Sequence, residues 1–215
     1  MPQVEQVLDG VFCISSWNKP AGIVVNQYVI LDEQPTLISL GGVPLFPEIS
    51  SAVRQVIDPT KLRYAFISHF EADECGGVLP FMQIAPNMQM VCSAVTGRQL
   101  MGFGMCRNAL VKGDGDTLEL GRRRLRFIDY PSEMHLWNGL LAFEETEGVL
   151  YTSDLFLVPG PVEKLKVTAN PEEVLVIPPA SIPSPEGRAA CLERIKGLAP
   201  RVLALGHGPV LDLRP

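Results

Sequence analysis

Runs of apolar residues, broken by proline and glycine, predict alternating strands and helices in the first half of the chain. Residues 22–31 and 36–40 are rich in β-branched side chains and flank a polar turn, which predicts two paired strands. Between residues 47 and 57 apolar side chains recur at helical spacing, and Asp58-Pro59 ends the predicted helix. Shorter apolar segments predict two more strands and a helix, at 64–68, 88–94 and 96–103.

From residue 114 onward the pattern changes to short apolar segments joined by glycine-containing turns, which predicts a second group of antiparallel strands. A proline-rich stretch follows and is predicted to be irregular, before a helix and a last strand. In chain order these segments are 117–120, 124–128, 140–143, 149–153, the irregular 155–185, the helix 186–198 and the strand 202–205. Two blocks of strands with helices predict an α/β (α+β) fold with two sheets packed together. We expect one domain over residues 1–215, because no linker divides the blocks.

Composition excludes several classes of protein. The chain is 47% hydrophobic and 20% charged, as in an ordinary folded protein. Its net charge of −6 disfavours a general affinity for nucleic acid or for anionic membranes. No apolar run approaches the roughly 18 residues of a membrane span, and the first ten residues do not resemble a signal peptide. The five cysteines include no CxxC pair, which indicates reduced thiols, so we expect a cytoplasmic protein.

Polar residues with metal-binding side chains follow several predicted strands. The three histidines of the chain, His69, His135 and His207, each flank a strand end, which is also compatible with three unrelated imidazoles. Glu71 and Asp73 alternate with His69, so in extended backbone all three side chains point the same way. Asp154 ends the apolar segment 149–153, where a carboxylate also suits a helix cap or a turn. Six such ligands exceed the needs of one tetrahedral zinc but suit two metals that share a carboxylate.

In this order the residues resemble the metallo-β-lactamase-fold core of the flavodiiron or oxygen-binding diiron protein family. The resemblance rests on the run His69-x-Glu71-x-Asp73, on His135, on Asp154 in Thr-Ser-Asp-Leu-Phe and on His207 in Gly-His-Gly-Pro. The stretches 25–30 and 113–121 are also similar, so that the resemblance extends from about residue 5 to residue 212. It implies a four-layer αββα sandwich.

The resemblance also implies a ligand set for two metal ions, with iron as the expected metal. His69, Glu71 and His135 would bind one ion, Asp73 and His207 the other, and Asp154 would bridge the two. Hydrolytic members of the fold usually have a histidine where Glu71 stands. The extra carboxylate favours hard metals such as iron or manganese over zinc. By the resemblance, Glu71, Asp73 and Asp154 are expected to act in catalysis through the metals that they bind.

By the same resemblance we expect a protein that binds O2 or NO and reduces or senses it. Electrons would come from a separate flavodoxin- or rubredoxin-like partner. No bound flavin is expected, since no phosphate-binding glycine loop or flavodoxin-like domain follows the core in this sequence. The resemblance is compatible with a homodimer but does not decide the oligomeric state. The alternative is a binuclear hydrolase that acts on an ester or thioester through a metal-bound hydroxide.

One departure from the family lies directly after Asp73. Many members have a histidine there, whereas this chain has Glu74. Three roles stay open for Glu74 at this point: a hydrogen-bond acceptor behind the ligands, a seventh ligand, or a solvated charge at the start of a helix.

Overall fold

The computed structural model describes residues 1–132 and 137–214, apart from the side chains of residues 131, 132, 137 and 138. Within these residues the first seven strands form one sheet, in the order of the sequence. They are β1 (Gln3–Leu8), β2 (Val11–Asn18), β3 (Ile23–Ile30), β4 (Thr36–Ile38), β5 (Tyr64–Phe66), β6 (Gln89–Cys92) and β7 (Leu110–Val111). The strands β1 to β4 pair antiparallel, and β4 to β7 pair parallel.

The remaining strands form a second sheet, also of seven strands in the described part of the chain. They are β8 (Thr117–Glu119), β9 (Arg124–Ser132), β10 (Trp137–Glu144), β11 (Val149–Ser153), β12 (Lys166–Thr168), β13 (Val202–Leu205) and β14 (Val210–Asp212). Their order is β12-β14-β13-β11-β10-β9-β8. Because β11 and β13 run parallel, their carboxyl ends lie side by side, and the loops after these two strands leave the sheet at the same end.

Helices connect the strands and begin where the sequence offers caps. They are α1 (Phe46–Val56), α2 (Ala72–Cys75), α3 (Val78–Ile84), α4 (Ala94–Gly102), α5 (Pro171–Val174) and α6 (Pro185–Gly197). Ser93 accepts a hydrogen bond from the Thr96 amide at the start of α4, and Ser184 accepts one from the Gly187 amide at the start of α6. Two short 3₁₀ helices, Val43–Leu45 and Pro59–Lys61, complete the set in the described residues.

Three apolar clusters define the layers of the fold. One joins the inner faces of the two sheets, with Tyr28 and Phe66 from the first sheet against Phe127 and Tyr151 from the second. A second cluster packs helices α1, α3 and α4 on the outer face of the first sheet. The third packs α6 on the outer face of the second. The order helix, sheet, sheet, helix confirms the predicted four-layer αββα sandwich.

The predicted strands and helices recur in the structure with shifts of a few residues at their ends. The stretch 155–185, predicted to be irregular, contains β12 and α5. The segment 25–30, which resembles the first strand of the family, lies in β3, and the pattern gave no indication of the two strands before it. No described helix is both long and apolar enough to cross a lipid bilayer.

Candidate metal centre

His69 lies three residues beyond the end of β5, at a junction between the two sheets. The preceding residue, Ser68, donates a hydrogen bond from its hydroxyl to the Leu140 carbonyl at 2.7 Å, and the Leu140 amide donates back to the Ser68 carbonyl at 3.1 Å. These two bonds join β10 of the second sheet to the loop that follows β5. His69 is therefore carried by backbone that both sheets hold, and its side chain is almost fully buried.

Glu71, Asp73 and Glu74 lie in a tight turn between His69 and helix α3. Glu71 has extended backbone, and the two following acids belong to the short helix α2. Gly76 and Gly77 allow this turn to touch the loop before α1: a Cβ atom on Gly77 would lie 2.4 Å from the Leu40 carbonyl oxygen. The glycine pair thus permits a close backbone approach that another residue would block.

Asp154 and His207 follow the parallel strands β11 and β13, at the carboxyl ends of both strands in the second sheet. The pairing register shifts between Tyr151 and Ser153, and Ser153 has a left-handed backbone with φ of 48°. Such irregularities re-aim side chains at the end of a strand. Close by, a Cβ atom on Gly206 would lie 2.7 Å from the Ser153 carbonyl oxygen, so the two loops are in direct contact.

The first sheet holds the His207 loop through β3. The His207 Nδ1 atom lies 2.8 Å from the Val24 carbonyl oxygen and donates to it. The Asn26 side-chain amide donates to the carbonyl oxygens of Leu205, at 2.9 Å, and Gly208, at 2.7 Å. With Nδ1 engaged in this way, the Nε2 atom of His207 is left to face the carboxylates.

Asp154 lies between the two histidines, and each of its carboxylate oxygens faces a different imidazole. Its Oδ2 atom is 3.6 Å from the His69 Nε2 atom, and its Oδ1 atom is 3.2 Å from the His207 Nε2 atom. On the outer sides, Glu71 Oε2 lies 3.0 Å from His69 Nε2 and Asp73 Oδ2 lies 3.3 Å from His207 Nε2. The result is a row of five groups, in the order Glu71, His69, Asp154, His207 and Asp73.

These separations fit metal coordination. Two donors bound at about 2.1 Å to one ion, at angles of about 90° to 110°, lie about 3.0 to 3.4 Å apart. Three of the four nitrogen–oxygen distances fall within this range, and the fourth, at 3.6 Å, is slightly wider. Imidazole nitrogen and carboxylate oxygen are donors that bind iron, manganese and zinc, so the donor set fits two ions that share Asp154.

In the metal-free chain the carboxylates favour protonated imidazoles. Burial lowers the pKa of His69, but the hydrogen bond to Glu71 and the charges of Glu74 and Asp154 outweigh it and raise that pKa to about 9. Burial likewise opposes the hydrogen bonds from His207 to Asp154 and Asp73, which raise the pKa of His207 to about 11. A metal ion must displace these protons, since only neutral imidazole binds a metal.

Glu74 is buried, so it is not a solvated charge at a helix start. Its Oε1 atom lies 2.6 Å from the Ser153 hydroxyl oxygen, which donates to it. Burial is the main cause that raises the pKa of Glu74 to about 7. Glu74, His69 and Asp154 each offer one ligand atom within 4.8 Å of the other two, so Glu74 adjoins the row of five groups.

The structure brings together five of the six predicted ligands: His69, Glu71, Asp73, Asp154 and His207. His135 lies outside the described residues. Sequence reasoning missed the contributions of Ser153, Val24 and Asn26. Only Ser153 carried a signal, because it stands directly before Asp154 in the sequence.

Solved structures with this fold include flavodiiron cores. A fragment of the putative diflavin flavoprotein A 5 of a Nostoc species superposes with a TM-score of 0.82 at 23% identity, over 98% of this chain and 89% of the fragment. The rubredoxin oxygen:oxidoreductase of Desulfovibrio gigas also superposes with a TM-score of 0.82, at 20% identity, over 98% of this chain and 57% of that one. The chain therefore has the metallo-β-lactamase-like fold of flavodiiron cores.

Residues 23–208 match the family model described as ODP family beta lactamase, and the chain belongs to this family. Among curated relatives, the putative diflavin flavoprotein A 1 of a Nostoc species is 28% identical over 199 residues, which are 89% of this chain and 34% of the relative. The nitric oxide reductase of Moorella thermoacetica is 26% identical over 170 residues, 73% of this chain and 42% of the relative. The matched chain thus spans about a third to two fifths of these proteins.

Proposed function

We propose that the chain forms a dinuclear iron centre that binds O2 or NO and reduces it with electrons from a separate redox partner. The observation that carries the proposal is the position of Asp154, whose two oxygens face the Nε2 atoms of two different buried histidines. The names of two similar proteins, a nitric oxide reductase and a rubredoxin oxygen:oxidoreductase, support the two gases and the kind of partner.

The residues of the row would divide into two ligand groups. Glu71 and His69 would hold one ion, Asp73 and His207 the other, and Asp154 would bridge them, in agreement with the distances among them. We extend the first group to His135 on the family resemblance alone. Bound iron would supply electrons and an open coordination position to a diatomic gas.

The surroundings of the row suit this chemistry. The three carboxylates give the centre more negative charge than a site with Glu71 replaced by histidine, which favours iron over zinc. The two imidazoles are buried, whereas the side chain of Glu71 is 44% exposed and that of Asp73 is 26% exposed. The row therefore opens to solvent on the glutamate side, where a small gas molecule can enter.

Anaerobic metal analysis, combined with an optical spectrum before and after exposure to air, tests the proposal. We expect two irons per chain and a near-ultraviolet band that bleaches on reduction. Asp154→Ala should remove both ions, because it deletes the shared ligand, while Asp9→Ala, at an exposed aspartate, should keep both. Loss of a single ion from Asp154→Ala would contradict the bridging role.

The family description favours a second candidate, a binuclear hydrolase, because it contains the words beta lactamase. The hydrolase would contain two zincs and turn over members of a panel of esters and thioesters. The redox protein would contain iron and would hydrolyse none of the esters and thioesters. Rapid O2 consumption with an artificial flavin reductant separates a reductase from a protein that only senses the gas.

A further inference from the structure

Glu74 faces the interior of the fold and turns away from the open side of the metal-binding row. Its side chain lines a small cavity between the two sheets, together with Ser153, Tyr28 and Tyr151. None of the five residues of the row lines this cavity. Glu74 therefore lies behind the row, on the side of the sheet interior.

Ser153 connects Glu74 to His69. Its hydroxyl oxygen lies 2.6 Å from Glu74 Oε1 and 3.4 Å from His69 Nδ1, and its next neighbour, Asp154 Oδ1, is farther away at 3.5 Å. A hydroxyl has one proton to donate and can accept as well. The short bond therefore assigns the Ser153 proton to Glu74, and the serine oxygen is left to accept from an Nδ1–H group of His69.

The two histidines thus have different acceptors behind them. The Nδ1 atom of His207 faces the neutral Val24 carbonyl at 2.8 Å, while that of His69 faces a serine hydroxyl that is itself bonded to a buried carboxylate. A carboxylate behind a ligating imidazole fixes its tautomer and raises its basicity as a ligand. This difference between the two acceptors should give the two metal positions different affinities.

We propose that Glu74 and Ser153 are positioning residues that hold His69 in the Nδ1-protonated tautomer and strengthen metal binding on the His69 side of the centre. The proposal rests on the dinuclear centre proposed above and adds residues outside its ligand set. It also assigns a role to the position where the family often has histidine: Glu74 acts through His69 and stays off the metals.

The short contact argues against Glu74 as a ligand. Its Oε1 atom is engaged by Ser153 at 2.6 Å, and its side chain lines the cavity that no member of the row reaches.

The test compares Glu74→Gln and Ser153→Ala with Glu144→Gln. Glutamine keeps the size of the side chain and removes its charge, and alanine meets no more strain than serine at the left-handed φ of residue 153. Glu144 is a matched control, because it is also buried and bonds backbone amides near the opposite end of β11. Zn(II) is titrated into each full-length chain against a competing chelator, and ¹⁵N imidazole spectra of the loaded chains report the tautomer.

We expect wild type to bind two zinc ions and to show His69 protonated at Nδ1. The chain has only three histidines, so the imidazole signals can be assigned simply. In Glu74→Gln and Ser153→Ala one of the two affinities should fall about 10- to 100-fold and the other should change much less. The Nδ1 signal of His69 should shift and that of His207 should not. Glu144→Gln should bind zinc as wild type does.

Equal weakening of both affinities, or no change in the His69 signal, would overturn the proposal. A wild-type chain that binds no metal would instead refute the dinuclear centre itself, so the two proposals fail in different ways.

Discussion

The carboxylates of the candidate centre differ in their exposure to solvent, and therefore in how firmly the surrounding residues fix their orientation. The side chain of Asp154 is only 12% exposed and lies between two histidines, so its orientation is fixed from both sides. Glu71 contacts His69 from the solvent side, with 44% of its side chain exposed. Replacement of Glu71 should therefore change the charge of the site with little change in the surrounding fold.

Glu71→His should shift the metal preference of the chain from iron toward zinc. The change removes one negative charge and replaces a hard oxygen donor by a nitrogen that zinc accepts readily. The measurement is the ratio of iron to zinc retained after anaerobic loading with an equal mixture of the two ions. Glu119→Gln, at an exposed residue of β8, is the control. An unchanged ratio in Glu71→His would refute the argument from charge.

At this scale the sequence predicted the ligand residues better than their surroundings. The alternation of His69, Glu71 and Asp73 predicted convergence on one site, and all three do belong to the row. Asp73 nevertheless faces His207, because α2 begins between Glu71 and Asp73 and turns its side chain. The hydrogen bond that Glu74 accepts comes from Ser153, which lies 79 positions away, and no local pattern reports such a contact.

At the scale of elements, the turn that carries the acids is held against the loop after β4. Ser39, with φ of 60°, donates from its hydroxyl to the Asp73 carbonyl at 3.1 Å, and the Leu40 amide donates to the Glu74 carbonyl at 2.9 Å. The Gly77 amide donates to the Gly41 carbonyl at 2.8 Å. These bonds need the two backbones in contact, which explains why Gly77 is a glycine although its φ of −73° suits any residue.

Gly77→Ala should lower the free energy of unfolding by about 1–3 kcal/mol, because its Cβ atom would overlap the Leu40 carbonyl. It should also weaken metal binding, since the acid turn must move. Gly197→Ala is the matched control: it lies in helix α6 with no atom near the added carbon, and should stabilise by up to about 1 kcal/mol. Denaturant titrations of both variants measure the difference, and equal stability of the two would exclude a steric role for Gly77.

Elements with a uniform environment were the easiest to predict. Strand β3 is buried along nearly its whole length, and its sequence is rich in β-branched residues, interrupted by the polar pair Asn26 and Gln27. Strand β1 lies at the edge of its sheet and mixes exposed and buried residues irregularly, so its pattern predicted no element. Strands β12 and β14 have three residues each, too short for any periodicity to show.

At the scale of the whole molecule, the row of ligands spans the junction of the two sheets. The first sheet supplies His69 and the acid turn, and the second supplies Asp154 and His207. Bonds from Asn26 and Tyr28 in β3 to the Leu205 carbonyl, at 2.9 and 2.6 Å, join the sheets beneath the row. A metal that binds both halves of the row should therefore stabilise the contact between the sheets, and with it the entire fold.

The pH dependence of stability should differ between the metal-free and the metal-loaded chain. The folded metal-free chain raises the pKa of His69 to about 9 and that of His207 to about 11, above the usual value near 6.5. Folding therefore favours the protonated imidazoles. Their contribution to stability is fully present below about pH 6.5 and is lost as the pH rises through 9 and then 11.

Thermal unfolding of the two forms between pH 7 and 10 measures this difference. The Tm of the metal-free chain should fall across the range, while the loaded chain needs no imidazole protons and should change less. Metal binding must release protons at pH 7 and fewer at pH 10, so the gap in Tm between the two forms should widen as the pH rises. A gap that narrows instead would show that the carboxylates do not hold protons on the two histidines in the metal-free fold.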